Sequence, residues 1–222
     1  MLKTEELKLV SEWDKTFPQS EKVDHKKVTF VNRYGITLAA DLYKPKNVSG
    51  KYPAIAVSGP FGAIKEQCSG LYAQTMAEKG YLTIAFDPSF TGESGGYPRF
   101  MASPDINTED FMAAVDFLSV REDVDPDKIG IIGICGWGGM ALNATALDTR
   151  IKATVASTMY DMTRVNANGY FDSEDSEEVR YAKKQSLNAL RTQEYRKGEY
   201  SKGSGCVPLP VPEDAPLFVK DY

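Results

Sequence analysis

Residues 128 to 140 read KIGIIGICGWGGM, a continuous apolar strand followed by a glycine-rich turn and a helix. A strand that bends sharply into a helix is where a nucleophilic enzyme exposes its attacking atom. The backbone is strained at the apex, and small residues are needed two positions to either side because strand and helix nearly touch. Two registers compete. With Trp137 at the apex the flanking positions are Cys135 and Gly139, both small, and Gly138 begins the helix. With Cys135 at the apex they are Gly133 and Trp137, and an indole would have to occupy the tightest strand-helix contact. Packing therefore predicts Trp137 at the apex. An indole has an N–H donor and no ionisable nucleophile, so a chain built this way forms no acyl-enzyme. The alternative is that the thiol of Cys135 attacks, at a helix N-terminus that favours negative charge.

Other reactive residue types have weaker settings. His25 is the only histidine; an imidazole suits general-base work. Flanked by Asp24, Lys26 and Lys27 at a strand entrance, it reads as a surface residue. Gly92-Glu93-Ser94-Gly95-Gly96 matches G-x-S-x-G, but its strand ends well upstream at Phe86 and Tyr97-Pro98-Arg99 follows where a helix is needed. It reads as a loop braced by Asp87 and Ser94. Asp161, just past the sixth strand, is an acid candidate whose simpler reading is a solvated loop residue. The sequence holds no HExxH, CxxC, P-loop or GxGxxG, so no metal and no nucleotide cofactor is expected.

These residues need a scaffold, and the chain has the means to build one. Its 222 residues are 42% apolar, enough for one domain with a sizeable core. A net charge of -5 gives no support for nucleic acid or an anionic membrane as partner. Three cysteines, Cys68, Cys135 and Cys206, are too few and too scattered for a disulfide framework, which points to a reducing compartment. MLKTEELKLVSEWDK carries charge throughout and lacks the apolar run of a signal peptide or anchor, so cytoplasmic residence is the default. Nothing in the sequence sets an oligomeric state.

The periodicity predicts a surface helix from Thr4 to about Trp13, then two strands, Lys27–Asn32 and Ile36–Tyr43, paired antiparallel through a short turn. Buried strands then alternate with amphipathic helices. The strands are Pro53–Ser58, Tyr81–Phe86, Lys128–Ile134 and Ile151–Ser157; the helices run over about 67–78, 108–120 and 138–148. This alternation predicts a mostly parallel sheet with helices on both faces and binding residues at the carboxyl ends of the strands. From Tyr160 the pattern breaks into a charged helix, Glu174–Arg196, and a Gly-, Ser- and Pro-rich stretch, Gly198–Pro216. The expected organisation is a helical extension over 1–20, an α/β core over 21–159, and over 160–222 the start of a cap or insertion, before the remaining strands of the core.

An antiparallel hairpin, parallel strand-helix units and then GICGWGG after the fifth strand resemble the first two thirds of an α/β-hydrolase. The likeness is to dienelactone-hydrolase-like and Xaa-Pro-peptidase-like bacterial hydrolases, carried also by ITLAADLYKP, SGPFG and AFDPSFTGESGG, over roughly residues 25 to 160. The resemblance implies a small-molecule ester, lactone or related carbonyl ligand. It implies oxyanion donors at the backbone N–H of Gly138 and of Phe61 or Gly62, each worth about 3 to 4 kcal/mol. It also implies a triad order of nucleophile, acid, histidine, and no histidine follows Trp137. Three readings result: a hydrolase-fold protein with a silenced elbow; a thiol hydrolase using Cys135, as dienelactone hydrolases do, in a longer chain; or a non-catalytic protein binding a carbonyl ligand.

Overall fold

In the computed structural model, which describes residues 5–46, 49–203, 210–215 and 217, β1 (Val23–Val31) and β2 (Thr37–Pro45) form an antiparallel hairpin. The Asn32 side-chain oxygen closes its turn, accepting from the backbone N–H of Tyr34 and of Ile36 at 3.0 Å each. Gly35 supplies the left-handed residue such a turn requires, at φ +79°.

The hairpin joins a six-stranded sheet with β3 (Tyr52–Ser58), β4 (Leu82–Phe86), β5 (Val124–Ile134) and β6 (Ile151–Ser157), in the order β1-β2-β4-β3-β5-β6. β2 lies antiparallel to β4, whereas β4, β3, β5 and β6 are parallel. β3, β4 and the end of β5 are apolar runs between helices on both faces, whereas β6 packs against α3 and leaves Val155 exposed. On one face α1 (Cys68–Glu78) brings Ala73 and Ala77 against Tyr43, Ile55, Val57, Ala85, Ile132 and Ile134. Helices α2 (Pro104–Ser119) and α3 (Trp137–Leu147) pack against each other and against β5. Phe111 of α2 meets Phe86 edge-on at 5.2 Å, one of several aromatic contacts in that layer. Burying each such ring stabilises the fold by about 1.5 to 3 kcal/mol. Helix α2 begins before the expected start at Thr108 because Pro104 occupies its first turn, where a missing N–H costs nothing.

The N-terminal stretch differs from expectation. Among the described residues, positions 5 to 22 contain no helix. Their backbone N–H groups are taken by the domain instead: Glu5 donates to Thr37 Oγ1 at 2.7 Å, Val10 to Glu93 Oε1 at 2.6 Å and Thr16 to the Glu66 carbonyl at 3.0 Å. The segment is a strap in which Leu7 and Trp13 are half-buried and Val10 is exposed, so their spacing marks no helical face. Thr4, the expected helix start, lies outside the described residues.

Contacts divide the chain into two compact units, Met1–Tyr160 and Asp161–Tyr222. The second unit holds α4 (Met162–Asn168), a 3-10 turn at Tyr170–Asp172 and α5 (Glu177–Lys197). Helix α5 follows sequence rules closely. Ser176 caps its start by accepting from the Val179 N–H, Glu177 and Glu178 occupy the first turn, Arg196 and Lys197 the last, and Gly198 ends it at φ +70°. Of the loop expected over Gly198–Pro216, residues 204–209 and 216 lie outside the described residues, Cys206 among them.

Candidate functional site

The bend between β5 and α3 carries its strain at Cys135, which has φ +58°. Gly136 follows with helical angles, φ -57° and ψ -28°, and Trp137 is the first residue of α3. The predicted apex is therefore corrected: Cys135 stands at the bend, and Trp137 is tucked into the protein at 4% exposure. The packing rule that favoured Trp137 fails because the two flanking positions are not equivalent. The tight strand-helix contact lies at Gly133, where a Cβ would fall 2.3 Å from the Trp137 carbonyl oxygen and 2.7 Å from Ala141 Cβ. The Trp137 side chain leaves that contact altogether. It lies against Gly59, at the end of β3, where a Cβ would sit 2.7 Å from the indole Cδ1 and 2.4 Å from the Ile134 carbonyl oxygen. Gly59, at φ +99°, makes the room that the local sequence lacks.

Moving the apex moves the donors. The Gly138 N–H, expected in an oxyanion hole, is spent inside the turn on the Cys135 carbonyl at 3.0 Å. The residue after Cys135 is Gly136, whose N–H has no hydrogen-bond acceptor among the described residues. Across from it runs Gly59-Pro60-Phe61-Gly62. The Ala63 N–H donates to the Pro60 carbonyl at 3.2 Å to close this turn, Gly62 has φ +83°, and the Phe61 ring meets the Trp137 indole edge-on with centroids 6.0 Å apart. Cys135 is half-buried, and its own N–H is fixed by the Ser157 carbonyl of β6 at 2.9 Å.

Cys68, at the first position of α1, shares this neighbourhood. Both half-buried thiols pack against the apolar cluster under α1. Burial, and then the adjacent Cys135, push the Cys68 thiol above its ordinary pKa.

The remaining candidates are placed elsewhere. His25 is no surface residue: its ring lies between Trp13 and Tyr43, and Nε2 is 2.7 Å from the fully buried carboxylate of Asp41. Asp161 is exposed and occupied as the cap of α4, accepting from the N–H groups of Thr163 and Arg164 at 2.9 and 3.0 Å and from Thr163 Oγ1 at 2.6 Å. Ser94 braces its loop, donating to the Asp87 carbonyl at 2.6 Å and accepting from the Ala39 N–H at 2.8 Å.

A buried charged layer escaped sequence reasoning. Lys65, fully buried at the end of the β3 loop, holds Glu66, Asp87 and Glu93 at 2.5, 2.9 and 2.7 Å. Burial opposes its charge, but these carboxylates prevail and hold its pKa above the ordinary range. Lys27 reaches Glu93, Asp14 and Glu66 at 2.7, 3.2 and 3.4 Å. The three carboxylates Asp14, Glu66 and Glu93 come within 4.8 Å of one another, a spacing that could hold a cation, and the Lys27 ammonium fills that role. Nothing in the pair Lys65-Glu66 distinguishes it by sequence from a solvated surface pair.

Comparison with known proteins bears on this architecture. The chain is 71% identical over 169 residues to the uncharacterized protein PA2218 of Pseudomonas aeruginosa, covering 76% of this chain and 46% of that protein. The crystal structure of PA2218 superposes with a TM-score of 0.92 at 59% identity, covering 98% of this chain and 67% of that one. Thiohydrolase aneE of Aspergillus aculeatus is 30% identical over 137 residues, covering 62% of this chain and 42% of that protein. The α/β-hydrolase GrgF from a Penicillium species shares the fold at a TM-score of 0.70 and 22% identity, over 85% of this chain and 61% of its own. The chain spans about half the length of the curated relatives it matches. Residues 34–203 match the X-Pro dipeptidyl-peptidase (S15) family, and on a mostly parallel sheet that shares the fold of α/β-hydrolases, the chain belongs to that family.

Proposed function

We propose that this chain carries the nucleophile half of a thiol hydrolase acting on ester, thioester or lactone carbonyls, with Cys135 as nucleophile. The observation that carries the reading is the left-handed backbone at Cys135 itself. Strain of this kind costs on the order of 1 to 3 kcal/mol and persists where function requires it. In the proposed step the Cys135 S–H gives its proton to the triad histidine of the longer chain, the sulfur attacks the carbonyl carbon, an S–C bond forms, and the C=O electron pair moves onto oxygen. The N–H of Gly136, with that of Phe61 or Gly62, receives the oxyanion, and the partial positive charge at the start of α3 adds to the stabilisation. Collapse re-forms C=O, expels the alkoxide or thiolate, and leaves a thioester on Cys135. This reading gives up Trp137 as a ground for a silenced elbow and answers the other ground, the acid and histidine missing after the bend, by placing both outside these residues.

The proton-transfer residues are a separate matter. The only histidine, His25, is committed to Asp41, and we place the triad histidine and acid in the part of the relatives that this chain does not span. The name thiohydrolase, borne by a relative 30% identical, supports thioester chemistry for the class. The test is alkylation by iodoacetamide read by peptide mass spectrometry, with burst acylation by 4-nitrophenyl acetate. Rapid, stoichiometric modification at Cys135, abolished in Cys135→Ala, is the expected result. An inert Cys135 would leave only a carbonyl-binding role.

A further inference from the structure

With the bend assigned to Cys135, Trp137 is left beside the site with an unusual set of contacts. Its Nε1–H is enclosed and has no acceptor among the described residues. An idle buried donor costs about 1 to 3 kcal/mol, so what the ring contributes here is its contacts and not a hydrogen bond. The Cδ1 edge, next to that nitrogen, faces Gly59 so closely that a Cβ there would fall 2.7 Å away, and the ring meets Phe61 at 6.0 Å. One side chain thus touches two residues of the Gly59–Gly62 loop. Its own backbone is the first residue of α3, directly after Cys135 and Gly136.

We propose that Trp137 is a positioning residue, a wedge that sets the spacing between the Cys135–Gly136 turn and the Gly59–Gly62 loop and so aligns the two sources of oxyanion donors. This rests on the reading of Cys135 as nucleophile. The loop is a short turn at a strand end, also held by the Cys68 thiol donating to the Gly59 carbonyl at 3.8 Å and, further along, by the Lys65 N–H donating to Asp87 at 2.8 Å. The indole fills the space between Gly59, Phe61 and the start of α3. Donors must lie about 3 Å from the developing oxyanion, and a displacement of about 1 Å can cost roughly 10²-fold in rate.

The experiment compares Trp137→Ala, Trp137→Phe and Phe61→Ala in the full 222-residue chain, each checked for an intact thermal transition. Three rates are measured: acylation by 4-nitrophenyl acetate, acylation by the matching thionoester, and alkylation by iodoacetamide. A thionoester develops its charge on sulfur, a poor hydrogen-bond acceptor, and alkylation develops no oxyanion at all. A positioning role predicts that Trp137→Ala slows oxoester acylation about 10²-fold, slows the thionoester much less and leaves alkylation unchanged. Trp137→Phe should restore most of the rate, and Phe61→Ala, which removes the other side of the contact and keeps its N–H, should show the same selective loss. Equal slowing of all three reactions, or a Trp137→Phe as slow as Trp137→Ala, would overturn the wedge. Acylation that persists in Cys135→Ala would instead overturn the nucleophile assignment, and this role with it.

Discussion

At the scale of single residues, the site is decided by who bears the positive φ. Cys135 holds it without being glycine, so Cys135→Gly should relieve the strain at the bend while removing the thiol. After allowing for the extra chain entropy of glycine, the gain in stability should be about 1 kcal/mol. A denaturant titration showing Cys135→Gly less stable than the parent would mean that the bend is not under strain. This residue was half legible in advance. The strand, the turn and the glycines marked the place, but the choice between Cys135 and Trp137 depended on Gly59, a partner remote in sequence. His25 was misplaced for a similar reason: three charged neighbours suggest a surface, yet alternate residues of a strand face opposite ways. The ring packs against Trp13 and Tyr43.

At the scale of elements, the six strands and the helices α1, α2, α3 and α5 were legible because apolar strands alternate with helical runs, although of these helices only α5 has a side-chain cap at its start. The N-terminal strap was not, because its hydrogen-bond acceptors, Thr37, Glu66 and Glu93, belong to distant loops. The contact between β5 and α3 gives the sharpest test of the element packing. Gly133→Ala would press a methyl group into the Trp137 carbonyl and Ala141, and overpacking of this kind costs about 1 to 3 kcal/mol. The loss should appear in thermal unfolding together with slower alkylation of Cys135, since the helix would have to move off the strand. A Gly133→Ala protein with parental stability and thiol reactivity would contradict the close approach described above.

For the molecule as a whole, the charged layer makes stability depend on pH. Burial works against the charged forms of Asp14 and Glu93, yet Lys15, Lys27 and Lys65 outweigh it and hold both carboxyls below their ordinary values. A lowered folded-state pKa gives stability that is complete above the unfolded value, about 3.9 to 4.3 for these groups, and is lost as pH falls through the folded value. The share of the melting temperature owed to Asp14 and Glu93 should therefore stay level from pH 7 to about 5 and fall below about pH 4, against the opposite trend of Asp87, whose burial raises its pKa. In Lys27→Met it should start lower and decline less steeply with acid, and an unchanged acid slope in that variant would remove the layer from the account. The two thiols that share one apolar cluster have a practical consequence of their own. Cys68, held protonated by its surroundings, works as a built-in reference for Cys135. Local chemistry at the bend would mark Cys135 first, whereas loosening of the cluster would expose both together, so the ratio of the two labels separates reactivity from breathing in a single sample.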